Sequence, residues 1–415
     1  MSGHPRRAAI TGIGVVAPNG TSTDTFWKST KEGISAMDRI TREGCGHLPL
    51  RVAGEVRDFD PPALVEERYL VQTDRFTHFA MAAADQALDD AGLGRSDTDA
   101  APFSVGVVTA AGSGGGEFGQ RELQQLWDKG SRFVGPYQSI AWFYAASTGQ
   151  ISIRRGFKGP CGVVAADEAG GLDAVAHAAR AVRRGTDVLV AGATEAPLAP
   201  YSMVCQLGYE ELSTVDDPER AYRPFTAAAC GFVPAEGGAM LVVESEDLAR
   251  ERGASVRATV AGHAATFTGA SRWEESRQGL AQAVLVALTE ADCAPEDIDV
   301  VFADALGTPE ADRAEALAIV DALGAHGTRV PVTAPKTGTG RSYAAAPVLD
   351  VAAAALALEH GLIPPTPNVF DACHDLDLVT SRARAAELRT ALILSRGLMG
   401  SNSALVLRRG AGDAS

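Results

Sequence analysis

A layered α/β architecture built from two similar halves is what this sequence predicts, and three observations carry the prediction. Segments 105–110, 188–192 and 239–244 are near-continuous apolar runs, the pattern of strands in sheets that helices cover on both faces. Alanine-rich stretches with apolar residues at helical spacing lie between such runs. A faint duplication is also present. Ala87-Leu88-Asp89-Asp90-Ala91-Gly92 and Ala287-Leu288-Thr289-Glu290-Ala291-Asp292 each end an alanine-rich helix ahead of a strand, roughly 103–110 in the first half and 298–303 in the second.

The elements follow in chain order. The apolar run 8–17 comes after Arg6-Arg7 and superficially imitates a secretory leader. It contains Gly12 and Gly14, stops at Pro18-Asn19-Gly20 and has no small-x-small cleavage site, so it reads as a buried first strand. Over 74–91, Phe76, Phe79, Ala80, Ala83, Ala87 and Leu88 share one helix face, with Asp74 able to cap the start and Gly92 the end. A glycine loop at 112–116 precedes another helix. The stretch Gly159-Pro160-Cys161-Gly162-Val163-Val164-Ala165-Ala166-Asp167-Glu168-Ala169-Gly170-Gly171-Leu172-Asp173-Ala174 reads as a strand, a sharp glycine-flanked turn and a helix ending near Gly185. Leu172-Asp173, which opens that helix, is echoed by Leu349-Asp350 in a helix ending near Gly361.

A polar connection at 248–256, marked by Glu251, Arg252, Gly253 and Ser255, is the expected seam. No Pro/Ser-rich linker separates the halves. The expectation is one body with an N-terminal half at 1–252, a C-terminal half at 253–411 and a frayed tail at 412–415, fraying setting in from Arg408.

Bulk properties exclude several functions. The 415 residues are 46% hydrophobic, ample for a continuous core, and carry a net charge of −15. That charge leaves no basic surface for phosphates or anionic lipid, so nucleic acid and membrane surfaces are not expected partners. The longest apolar run, 348–362, falls short of the roughly 20 residues of a membrane span and is broken by Asp350, Glu359 and His360. Six scattered cysteines without a C-x-x-C point to reduced cytoplasmic thiols, and only Cys373-His374 are adjacent, so no metal site is expected.

Two G-x-G-x-x-G/A matches would suit a dinucleotide: Gly12-x-Gly14-x-x-Ala17 and Gly114-x-Gly116-x-x-Gly119. In the first, Pro18-Asn19-Gly20 puts a loop where the phosphate-binding helix has to start. The second lacks a ribose-binding acid after a following strand. No cofactor is expected, and the glycines read as close backbone packing or emptied volume.

Glu168 is the most informative residue of the chain. An elbow of this kind presents one side chain at a helix N-terminus, where N–H groups and the helix dipole stabilise a thiolate or an oxyanion. A carboxylate there cannot form a useful thioester. Three further blocks are Asp304-Ala305-Leu306-Gly307-Thr308-Pro309, Lys336-Thr337-Gly338-Thr339-Gly340-Arg341 and Gly397-Leu398-Met399-Gly400-Ser401-Asn402-Ser403-Ala404. With these, the chain resembles a ketosynthase of the thiolase superfamily over essentially its whole length, all four blocks in order. Within that family it resembles the chain length factor, the ketosynthase beta subunit of bacterial aromatic, type II polyketide synthases.

The resemblance implies a thiolase-like fold with αβαβα layers. Ketosynthases perform a Claisen condensation with an acyl-carrying cysteine and two histidines that assist malonyl decarboxylation and stabilise the enolate. By motif those positions hold Glu168, Leu306 and Arg341, so all three reacting groups are absent while Thr308, Asp312, Glu315 and Lys336 remain. Chain length factors mostly carry Gln at the elbow, and Glu168 departs from that. Asp167, and Asp304 if it faces the pocket, would raise the Glu168 pKa, whereas Arg341 would lower it. Two readings stay open: a Glu168–Arg341 ion pair filling a dead site, or an acid/base site of Glu168 and Arg341, with Asp304 as a third member, for malonyl decarboxylation or priming. The C-terminal block has Leu398, Met399 and Ser401 where ketosynthases carry a gating phenylalanine loop.

The resemblance also places tunnel-lining positions at Gly116, Gly119 and Leu123, where bulky aromatics in the family end chain growth early. Two glycines and a leucine imply a long tunnel and a decaketide or longer product; ordinary turn glycines would look the same. The aromatic run Ile140-Ala141-Trp142-Phe143-Tyr144 stands out in a chain with 6% aromatic residues. A core cluster is the default reading, but the family's partner subunit meets this region, which makes Trp142, Phe143 and Tyr144 candidate interface anchors. The expected function is a catalytically silent subunit that forms a heterodimer with a ketosynthase alpha subunit and shapes the tunnel. Malonyl and polyketide groups would arrive on an acyl carrier protein held mainly by the less acidic partner.

Overall fold

The computed structural model describes residues 6–94, 102–269 and 273–410. Its large sheet contains β1 (Ala8–Val16), β2 (Val105–Ala110), β3 (Cys161–Val164), β4 (Val188–Glu195), β5 (Gly237–Ser245), β6 (Ala258–Phe267), β7 (Val300–Phe302), β8 (Pro331–Thr333), β9 (Asp377–Leu378), β10 (Thr390–Arg396) and β11 (Ser401–Arg409). Across the sheet they run β9-β8-β7-β10-β11-β6-β1-β5-β4-β2-β3. Counted within each half, the order third-second-fourth-fifth-first occurs twice, as β3-β2-β4-β5-β1 and as β8-β7-β10-β11-β6, with β9 added at one edge. The halves join where Ala8, Ala9 and Ile10 pair antiparallel with Val260, Thr259 and Ala258. What the sequence displays as two short echoes is a repeat of the whole strand topology.

The helices that matter here are α1 (Arg75–Asp90), α2 (Gly116–Lys129), α3 (Gly170–Arg183), α4 (Pro200–Gln206), α5 (Trp273–Ala291), α6 (Pro309–Leu323) and α7 (Ala346–His360). One core joins Leu172 and Val175 of α3 and Val348 and Val351 of α7 to Leu189, Leu241, Ile393 and Leu405 of both halves. A second sets Phe79, Ala83 and Leu88 of α1 against Val107, Val190 and Val242. A third sets Leu280 and Val284 of α5 and Ile319 of α6 against Val301, Leu392 and Val406. Neighbouring residues of one strand thus enter different cores, as the two-residue side-chain period requires. Strands buried on both faces have no place for a polar alternation, which is why they read as continuous apolar runs. The result is the expected αβαβα layering. Helix α7 is buried from Ala346 to Leu358, so its apolar run serves a helix enclosed on all sides. No helix among the described residues is long and apolar enough to cross a membrane.

Two local readings are settled by packing. A Cβ on Gly14 would lie 1.9 Å from the Ala83 carbonyl oxygen and one on Gly12 2.0 Å from that of Ala87. The first glycine motif therefore lets α1 lie directly on β1 and cradles no phosphate. At 408–409, where fraying is expected to set in, the chain is still strand. Arg408 and Arg409 belong to β11, Arg408 pairs with Thr390 and Thr259, and its guanidinium donates to Ala291 O at 2.7 Å. The tail 412–415 lies outside the described residues.

Candidate active site

The elbow forms between β3 and α3. Asp167 adopts φ 54°, the left-handed region that side chains rarely enter, and the chain turns there so that Glu168 points inward with 4% exposure. Glu168 Oε2 accepts the Leu398 N–H at 2.8 Å, and Asp167 Oδ2 accepts the Met399 N–H at 2.7 Å. Burial first, then the hydrogen bond and charge of Asp167, push the Glu168 carboxyl well above its ordinary range; Arg341 and the Leu398 N–H pull it down but are outweighed.

Leu306 and Arg341, where the resemblance places two histidines, are sealed in the interior. Leu306 is 1% exposed and joins an apolar cluster with Tyr222, Phe232, Tyr343 and Leu398. Arg341 does not pair with Glu168, contrary to the ion-pair reading. Its Nη1 meets Asp304 Oδ1 at 2.9 Å and donates to Asp304 O at 3.1 Å, and Nη2 donates to Arg396 O. Asp304 also faces Arg396 Nε at 3.3 Å. Arg396 reaches Glu315 at 3.0 Å, and Lys336 reaches Asp350 at 2.6 Å while donating to Asp304 O at 3.1 Å. Burial alone would raise Asp304, but Arg341, Arg396 and Lys336 together hold it below the usual carboxylate range. Burial disfavours the Arg341 cation most, but Asp304, Tyr222 and Glu168 together outweigh it and keep the guanidinium charged. Three buried cations and three buried acids thus share one network of opposite charges, as buried charges have to, while Asp304 Oδ2, Asp350 Oδ2 and the Nε atoms of Arg341 and Arg396 lack a hydrogen bond among the described residues.

A cavity of about 350 Å³ opens in front of Glu168. Its wall includes Asp167 and Glu168 of the elbow, Gly112, Ser113 and Gly116 of the glycine loop, Trp142 and Tyr144, and Tyr201, Ser202 and Cys205 of α4. Neither Leu306 nor Arg341 nor Asp304 lines it. Of the three tunnel candidates, Gly116 is in the wall, Gly119 lies under the Trp142 ring, 3.2 Å from where its Cβ would be, and Leu123 is exposed on α2. The aromatic run is not core. Trp142 and Phe143 are about half exposed, at 50% and 52%, and Tyr144 is also exposed. Edge strand β3 lies beyond β2 with Cys161 and Val163 exposed.

Sequence reasoning missed the polar supports of this wall. Glu195, fully buried at the end of β4, accepts the N–H of Gly112, the N–H of Ser113 at 3.2 Å and the Ser113 hydroxyl. Asp74 caps α1 through the Phe76 N–H at 3.2 Å, as expected, and also accepts the Phe118 N–H of α2 at 2.7 Å. An acid closing an apolar strand was the available signal for Glu195; nothing local marks the second bond of Asp74. Tyr201, Cys205, Tyr209 and Tyr343 were missed as wall residues because they sit on turns and a short helix without a periodic pattern. Among the described residues, no group of three or more His, Cys, Asp or Glu side chains is placed to hold a metal ion.

Comparison with known proteins agrees with this geometry. The beta-ketoacyl synthase N-terminal domain model matches residues 6–249 and the C-terminal domain model residues 257–370. A Streptomyces halstedii protein named polyketide beta-ketoacyl synthase 2 is 76% identical over 407 residues, 98% of each chain. The tetracenomycin polyketide synthase ketoacyl synthase beta subunit of Streptomyces glaucescens is 50% identical over 98% of this chain and 99% of its own. Among solved structures, the ishigamide ketosynthase/chain length factor superposes with a TM-score of 0.88 at 28% identity, covering 98% of this chain and all of the other. The chain belongs to the beta-ketoacyl synthase family, in the branch of ketosynthase beta subunits, the chain length factors of type II polyketide synthases.

Proposed function

We propose that this chain is a catalytically silent chain length factor that joins a ketosynthase alpha subunit in a heterodimer, and that the cavity before Glu168 is its share of the tunnel that sets poly-β-ketone length. One observation carries the reading: the nucleophile position holds a buried carboxyl tied to backbone, beside a cavity that reaches an exposed aromatic edge. An alkyl side chain at Leu306 can neither donate a hydrogen bond nor move a proton, and Arg341 is spent on Asp304. Such a subunit contributes shape and confinement, with the chemistry left to its partner.

Cavity depth follows from side-chain volume. A glycine in place of a phenylalanine at Gly116 empties on the order of 100 Å³ by the volume logic of large-to-small changes, which favours a decaketide or longer product. The net charge of −15 would repel an acidic carrier protein, so carrier docking falls mainly to the partner. All six cysteines are unpaired, which fits assembly in a reducing cytoplasm.

The test is co-expression with the cognate ketosynthase and mass measurement of the released polyketide. Because a Cβ on Gly116 would meet Ser202 Oγ at 2.1 Å, Gly116→Phe is combined with Ser202→Ala to make room. The double variant should shorten the product by at least one two-carbon unit, with Ser202→Ala alone as the control. An unchanged length removes Gly116 from the tunnel.

A second reading, an independent malonyl decarboxylase or priming enzyme, draws on one observation: Glu168 lines the cavity wall and burial pushes its carboxyl well above the usual carboxylate range. Its other members, Arg341 and Asp304, stand outside that wall. Carbon dioxide released from malonyl carrier protein by the isolated subunit would favour this reading over the first.

A further inference from the structure

The four-residue turn 397–400 joins β10 to β11, and all four of its N–H groups are used. Gly397 donates to Ser401 O at 2.8 Å and Gly400 to Gly397 O at 3.1 Å, closing the turn on itself. The other two leave the turn, Leu398 to Glu168 Oε2 and Met399 to Asp167 Oδ2. The fit is close: a Cβ on Gly397 would lie 2.0 Å from Asp167 Oδ2. On the far side, Gly400 O accepts from Thr268 N at 3.0 Å, Thr268 Oγ1 at 3.2 Å and Asn402 Nδ2 at 3.2 Å.

We propose that Glu168 and Asp167 form a latch: the side chain at the abandoned nucleophile position is a positioning residue that, with its neighbour, pins the C-terminal turn to the elbow at the margin of the cavity. The Glu168 carboxyl, raised by burial and by its hydrogen bond with Asp167, and the Asp167 carboxyl each present an acceptor oxygen to the turn. Glu168 needs no contact with substrate to do this. With the turn pinned, the elbow side of the cavity stays shut and chain growth enters from the partner's side. That consequence rests on the tunnel function proposed above; the latch itself does not.

The experiment is hydrogen exchange of the 397–400 amides in the purified heterodimer, with polyketide length measured on the same samples. Glu168→Ala should speed exchange of Leu398 about tenfold, the effect of losing one hydrogen bond. Asp167→Gly, which keeps the positive φ without strain, should do the same for Met399 and checks the latch in a variant that leaves the buried residue intact. Glu168→Gln should stay within about twofold of the native chain, because the amide oxygen still accepts from Leu398 and the amide NH2 donates to Asp167. Unchanged exchange in Glu168→Ala and Asp167→Gly, or a Glu168→Gln variant as fast as Glu168→Ala, overturns the latch. The expected exchange pattern with no change in product length in any variant upholds the latch and removes its link to the tunnel.

Discussion

Glu195 and Asp74 stand out at the residue scale because neither makes an ion pair among the described residues, yet both are buried. Burial lifts each carboxyl to about 7, against the N–H and hydroxyl donors that favour the charged form. A folded pKa above the unfolded one means that the native state holds a proton the unfolded chain has released. Their contribution to stability is therefore full below about pH 4 and is lost as pH rises through 7. For Glu195 the difference is on the order of 3 kcal/mol at 1.36 kcal/mol per unit. Glu195→Gln cannot ionise, so the dependence of its urea midpoint on pH between 5 and 8 should be flatter than that of the native chain. Equal slopes would show that Glu195 is ionised throughout. The resemblance assigns the three reacting positions to Glu168, Leu306 and Arg341 because each sits inside a short motif. The Arg341 partner was not legible in the sequence, since Asp304 lies 37 residues away and arrives by way of a strand and a loop.

At the scale of elements, the contact between β1 and α1 shows what a small residue can mean. Backbone carbonyls of the helix occupy the space that side chains at 12 and 14 would need. Gly14→Ala should destabilise the fold by at least the 1–3 kcal/mol typical of overpacking, because the obstructing atom is backbone and cannot rotate away; chemical denaturation measures it. Strands and long helices were readable within a few residues, the expected 298–303 appearing as Val300–Phe302 and the expected helix 74–91 as Arg75–Asp90. Short pieces were not. The two-residue β9 is held by pairing with β8, and α4 starts at Pro200 with seven residues, too few for a periodic signal.

Over the whole molecule, exposed aromatic residues stand around the cavity that follows edge strand β3 and on α2. Trp127 at 80% and Tyr201 at 53% exposure add to Trp142 and Phe143. An uncovered edge strand and an apolar patch of this kind are liabilities for a solitary protein and assets for one with a partner. The proposed heterodimer places both under the second subunit. The variant Trp142→Ala combined with Phe143→Ala should weaken its association with the ketosynthase by at least tenfold, as loss of aromatic anchors does, measured by sedimentation. Association as tight as that of the native chain would move the interface elsewhere.

The layered α/β class was legible in the sequence because apolar runs and helical spacing are written within single elements; the duplication showed as two short echoes, and the replacement of the family's three reacting side chains is what the resemblance of four short motifs implies. Only the tertiary structure decided that Glu168 serves the turn at 398, 230 residues on, that Arg341 serves Asp304 instead, and that Gly116 shares a cavity wall with the elbow. Those pairings depend on how layers stack and where loops from both halves converge, and no local pattern encodes them.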